Sequence, residues 1–168
     1  MSGPGRVSLV ARALGFAGLL PQVGALAGVI WGGPDWIAYA IAVAVAYGAL
    51  ILSFLGGIWW GLAVRRAEEQ GALAARAIAP SLIALFVIIG MFLSGKYGTP
   101  SEDYYLWGCL ALGMALAATL IVDVRLERSG EVPPGWTRFR AILSGGLALL
   151  TASAGVAYAV LVRSETFY

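Results

Sequence analysis

The sequence contains no histidine and one cysteine, Cys109. Without histidine the chain lacks the usual axial ligand of haem, the commonest zinc ligand and the default general base. A single thiol excludes an intrachain disulfide and any multi-cysteine metal site. Charge is scarce as well. Asp, Glu, Lys and Arg make up 12% of the residues, where a soluble domain carries about a quarter. A net charge of +2, with no basic stripe interleaved by aromatics, excludes a nucleic-acid partner. No charged residue falls in the expected hydrocarbon centre of any helix, and ion-coupled carriers depend on such groups or on unwound helices.

The interior polar residues are Gln22, Tyr47, Ser53, Ser81, Thr119, Ser144, Thr151 and Ser153. A serine nucleophile needs an activating base, and none accompanies these hydroxyls at depth. They are expected to bond to helix carbonyls or across helices. No enzyme activity, metal or cofactor is expected from this inventory.

Apolar length is what the chain does have. Sixty per cent of it (60%) is hydrophobic and the mean hydropathy is +0.85. Apolar runs of roughly 20 residues are membrane-span candidates, and five occur in succession. The expected fold class is an all-α membrane protein, a single domain over 1–168 built as a bundle of five transmembrane helices. They are placed near 7–31, 36–64, 76–93, 104–124 and 138–162. Pro21 is expected to kink the first. Arg6, Arg12 and Ala25-Leu26-Ala27 imitate a cleavable signal, but the apolar run is long for one, so a first span is expected. Gly32-Gly33-Pro34-Asp35 reads as a tight turn. Arg65-Arg66-Ala67-Glu68-Glu69 favour helix and would let the second helix run on. Pro80 falls in the first turns of the third, where proline is tolerated, and Pro133-Pro134-Gly135 breaks the longest loop.

Basic residues in short loops set orientation. Arg6, Arg12, Arg65, Arg66, Arg76, Arg125, Arg128, Arg138 and Arg140 fall at one end, against Lys96 and Arg163 at the other. The N-terminus is therefore expected inside and the C-terminus outside. Aromatics mark both surfaces, as amphipathic rings do: Trp31, Trp36, Tyr39, Tyr97, Tyr104, Tyr105, Trp107 and Tyr158 outside, Trp59, Trp60 and Trp136 inside.

Small residues recur every fourth position at Ala49, Ser53, Gly57 and Gly61, and again at Gly24 and Gly28. Such spacing lets helix backbones approach closely, either within the bundle or against another protein. Trp59, Trp60, Arg65, Arg66 and Trp136 are candidates for the headgroup interface, where each arginine is worth about 1 kcal/mol near an anionic surface. Asp123 is expected to pair with Arg138 or Arg140 and fix how the fourth and fifth helices meet.

Gly15-Phe16-Ala17-Gly18-Leu19-Leu20-Pro21, Ala46-Tyr47-Gly48 and Ile51-Leu52-Ser53-Phe54-Leu55-Gly56-Gly57-Ile58-Trp59-Trp60-Gly61-Leu62-Ala63 resemble the transmembrane-protein-69-like family. Asp123 and the Pro134-Gly135-Trp136…Arg138…Arg140 segment resemble its later motif. This is a domain of unknown function found in proteobacteria and mitochondria, and members often place a histidine where Trp59 stands here. The resemblance implies a five-helix protein of the bacterial cytoplasmic (inner) membrane and carries no established activity. By exclusion, the expected role is a non-catalytic accessory or assembly subunit of a larger complex, with other integral membrane subunits and membrane lipids as partners. The distribution implied by the resemblance points to energy transduction. The alternative is a small transporter or channel for a neutral or lipid-like solute.

Overall fold

A computed structural model describes residues 7–95 and 102–165. It contains α1 (Leu9–Ala17), α2 (Leu20–Trp31), α3 (Pro34–Ala63), α4 (Gln70–Gly95), α5 (Glu102–Arg128) and α6 (Trp136–Glu165). No strand occurs among the described residues. Five helices are long and apolar enough to cross a membrane, with α1 and α2 together forming the first. The basic Arg6 and Lys96 and the aromatic Tyr97 lie outside the described residues.

The first span breaks at Gly18-Leu19 rather than bending at Pro21. A proline ring clashes with the carbonyl four residues back, which here is Ala17, the last residue of α1. The chain leaves the helix there and restarts with Pro21 in the first turn of α2, a position proline suits. Tyr47 on α3 donates to the exposed carbonyl of Gly18 at 2.5 Å and holds the break in place. Gly33 precedes α3 at φ 72°, a left-handed value that a Cβ would penalise, so the turn into α3 depends on it.

The run from Arg65 to Glu69 does not continue α3. The helix stops at Ala63, and its last turn, with Trp59 and Ala63, packs in a cluster with Leu73, Ala77, Leu126 and Val132. Packing between helices overrides a propensity of a few tenths of a kcal/mol per residue, roughly. Consequently α4 starts at Gln70, and Pro80 sits inside it.

In the bundle α3 touches α2, α4, α5 and α6. Its inward residues, Ile41, Ala44, Val45, Gly48, Ala49, Leu52, Leu55, Gly56, Trp59 and Ala63, recur at spacings of three and four. Such spacing keeps one face of a helix toward its neighbours. At Gly56 the α4 backbone comes so close that an added Cβ would stand 2.3 Å from the Ala77 carbonyl oxygen. Gln22, fully buried on α2, donates to Thr151 of α6 at 3.0 Å and to the Ala44 carbonyl of α3 at 3.3 Å. Ser53 meets Ser81 of α4 at 2.9 Å.

Candidate functional site

The turn between α5 and α6 is built by local rules. The Gly130 amide bonds back to the Glu127 carbonyl and the Glu131 amide to that of Leu126, with Gly130 at φ 75°. This is the glycine-terminated helix end known as the Schellman motif. Glu127 then accepts from the Gly135 amide at 2.6 Å and the Thr137 amide at 2.8 Å. Those amides open α6 and have no partner inside it, so a carboxylate of α5 caps the next helix. The short, doubly tied connection returns α6 along α5 in a fixed register.

That register brings Asp123 opposite Arg140. The Arg140 Nε donates to Asp123 Oδ2 at 3.0 Å. Two indoles complete the carboxylate: Trp59 Nε1 donates to Oδ1 at 3.2 Å and Trp136 Nε1 to the same oxygen at 3.3 Å. Asp123 is 1% exposed and Arg140 6%. A charge removed from water needs both a counter-charge and further hydrogen bonds, and this carboxylate has both. The node ties α3, α5 and α6 at the arginine-rich end. Three donors therefore converge on the two oxygens of Asp123.

The other candidates separate around it. Trp59, expected at the headgroup surface, lies inside the bundle because its N–H meets Asp123, whereas its neighbour Trp60 is 48% exposed. Trp136 is half-buried and Arg65 and Arg138 are exposed. Arg66 grips Glu131 through two hydrogen bonds, Nε at 2.7 Å and Nη at 2.6 Å. That contact raises the Arg66 guanidinium above its ordinary value, chiefly through the hydrogen bond, and holds the Glu131 carboxyl below the usual carboxylate range. Ala49 is buried, and Gly28 faces Ala40, where a Cβ would come within 3.0 Å. Gly24, Gly57 and Gly61 have nothing within 4 Å of where a Cβ would stand.

A family model described as a protein of unknown function, DUF3429, matches residues 7–159. The chain belongs to the DUF3429 family. The match takes in every residue of the node. No curated protein and no solved structure matches the chain, so the site of this DUF3429 protein has to be read from its own geometry. Among the described residues no cluster of three or more His, Cys, Asp or Glu side chains could hold a metal. Sequence reasoning passed over two partners, Glu127 and Glu131. Their signal was present in the spacing of Glu127 and Glu131 around the Gly130-Glu131-Val132-Pro133-Pro134-Gly135 loop, where carboxylates sit within reach of a helix start. Ser144 was counted only among interior hydroxyls. Its side chain is 2% exposed and has no hydrogen-bond partner among the described residues.

Proposed function

We propose that this protein is a non-catalytic accessory or assembly subunit of a larger complex in the bacterial inner membrane, N-terminus inside, and that it serves energy transduction. The single observation behind the reading is the outer face of α3. Leu50, Phe54 and Val64 are exposed there, and Gly57 and Gly61 lie open between them. A glycine inside a helix costs about 1 kcal/mol relative to alanine. Gly56 offsets that cost by admitting the α4 backbone, whereas Gly57 and Gly61 admit nothing from their own chain. Small residues one turn apart on a lipid-side face suit close approach of another helix, so a helix of a partner subunit is the natural occupant. The likeness to the transmembrane-protein-69-like family supports the membrane and the energy-transducing setting. The basic asymmetry supports the orientation.

The test is gentle solubilisation from native membranes, followed by native electrophoresis and mass spectrometry of co-migrating chains. A stoichiometric partner is expected, and Gly57→Leu with Gly61→Leu should release it while the fold persists. Migration alone, as monomer or homo-oligomer, would sink this reading. A second reading, a small transporter or channel for a neutral or lipid-like solute, is favoured by a cleft between α1, α3 and α6, and solute flux in liposomes is its signature.

A further inference from the structure

The cleft between α1, α3 and α6 has a volume of about 220 Å³, and its walls include Leu14, Leu19, Phe54, Leu147, Arg140 and Ser144. It is apolar except where Arg140 and Ser144 meet it. Among the described residues Arg140 has a hydrogen-bond partner only at Nε, so both of its Nη groups lack a protein acceptor. One turn further along α6, the buried Ser144 hydroxyl also has none. The Ser144 hydroxyl is thus a buried donor left unmade, which is unfavourable, and nearly all such donors in folded proteins find a partner; the Arg140 Nη groups are free donors beside it. The space equals roughly seven waters at ~30 Å³ each, yet an ordered water needs about two to four polar partners. Most of this wall offers none. The lining therefore suits an apolar body that carries one hydrogen-bond acceptor.

Charge and depth narrow the acceptor. Arg140 is already balanced by Asp123, so a second carboxylate would bring uncompensated negative charge into a poorly solvated site. A neutral carbonyl accepts the same hydrogen bonds without that penalty. Arg140 lies four residues, about 6 Å, into α6 from Trp136. The exposed Trp60, Arg65 and Arg138 mark headgroup level at this end, and the headgroup and interfacial region is roughly 5–8 Å deep on each side of the hydrocarbon. The ester carbonyls of glycerolipids lie at that depth. We propose that this cleft binds one acyl chain of a membrane glycerolipid, its ester carbonyl accepting hydrogen bonds from the Arg140 Nη groups and the Ser144 hydroxyl. The site is separate from the outer face of α3, and it stands whether or not a partner helix covers that face.

Ether lipids give a direct test, because they keep headgroup and chains but lack the carbonyls. The full-length protein would be exchanged in mixed micelles containing equal amounts of dioleoyl phosphatidylglycerol and its dialkyl-ether analogue. Native mass spectrometry then reads which lipid is retained. A neutral hydrogen bond is worth on the order of five-fold in affinity and one from a charged guanidinium roughly ten-fold or more, so the wild type should favour the diester by roughly 50-fold or more. Ser144→Ala removes a hydroxyl with no protein partner, so the fold should hold, while the preference falls by about five-fold. Ser144→Leu fills the polar end and should abolish retention. Equal retention of diester and diether by the wild type would overturn the proposal. So would an unchanged preference in Ser144→Ala, or retention of a quinone in place of a glycerolipid.

Discussion

Gly56 and Gly57 are consecutive residues of α3 with opposite surroundings, and alanine at each should move stability in opposite directions. The gain in helix propensity is common to both, at about 1 kcal/mol. At Gly57 nothing opposes it, since no atom lies within 4 Å of the new methyl. At Gly56 the methyl would stand 2.3 Å from the Ala77 oxygen, whereas carbon and oxygen ordinarily rest about 3.3 Å apart or more. The obstacle is backbone, so α4 must withdraw by roughly 1 Å, and overpacking of this kind costs about 1–3 kcal/mol. Subtracting one variant from the other cancels propensity and leaves the clash. At roughly 2–4 °C per kcal/mol for a chain of this size, Gly56→Ala should melt about 2–12 °C below Gly57→Ala. Cys109 supplies the assay. It is the lone thiol, 0% exposed in the core, so a maleimide dye should label it only when the bundle opens. Equal melting midpoints for the two variants would refute the close approach of α3 and α4.

Asp123→Ala should destabilise the protein by about 3–5 kcal/mol, because it strands a buried guanidinium, and labelling of Cys109 would report it. Trp59→Phe removes one of three donors, worth about 0.6–1.7 kcal/mol for a single hydrogen bond between membrane helices, and also leaves a small void in its cluster that adds to the loss. Tyr47→Phe should release the Gly18 carbonyl and loosen the α1–α2 break, seen as faster amide exchange around Gly18. For Glu131 the sign follows from its depressed folded value, caused first by the Arg66 hydrogen bond. The contribution is complete above the unfolded carboxylate value and disappears as pH falls through the folded one. Glu131→Gln should therefore flatten the acid side of the stability profile, and a midpoint series from neutral pH downward would measure it.

What could be read from residues alone differs from place to place along α3. Its apolar length was legible, and its start to within two residues: Pro34 and Asp35, expected in the turn, already belong to the helix. Its packing face was not. Ala49, Ser53, Gly57 and Gly61 repeat every four residues, and at 3.6 residues per turn each step drifts about 40° around the helix. Three steps carry the stripe from the buried side at Ala49 to the open side at Gly61. The face that packs keeps a shorter average repeat, and only the neighbouring helices select it.

The same division runs through the node. That Asp123 and Arg140 end up near each other follows from a short loop between two antiparallel spans. That the Trp59 indole turns inward to the oxygen already held by Trp136 depends on α3, more than sixty positions from Asp123, and no local pattern encodes it. Trp59 as a surface anchor and Arg66 as a lipid contact were reasonable expectations for isolated residues beside a membrane. In the folded chain Asp123 and Glu131 take up their donors instead. From the sequence alone came the number of spans and the residues that make one end basic, because apolar length and charge act residue by residue on the surrounding solvent. The tertiary structure alone decided which side chains meet, since hydrogen bonds and close packing require two surfaces at one distance and one angle.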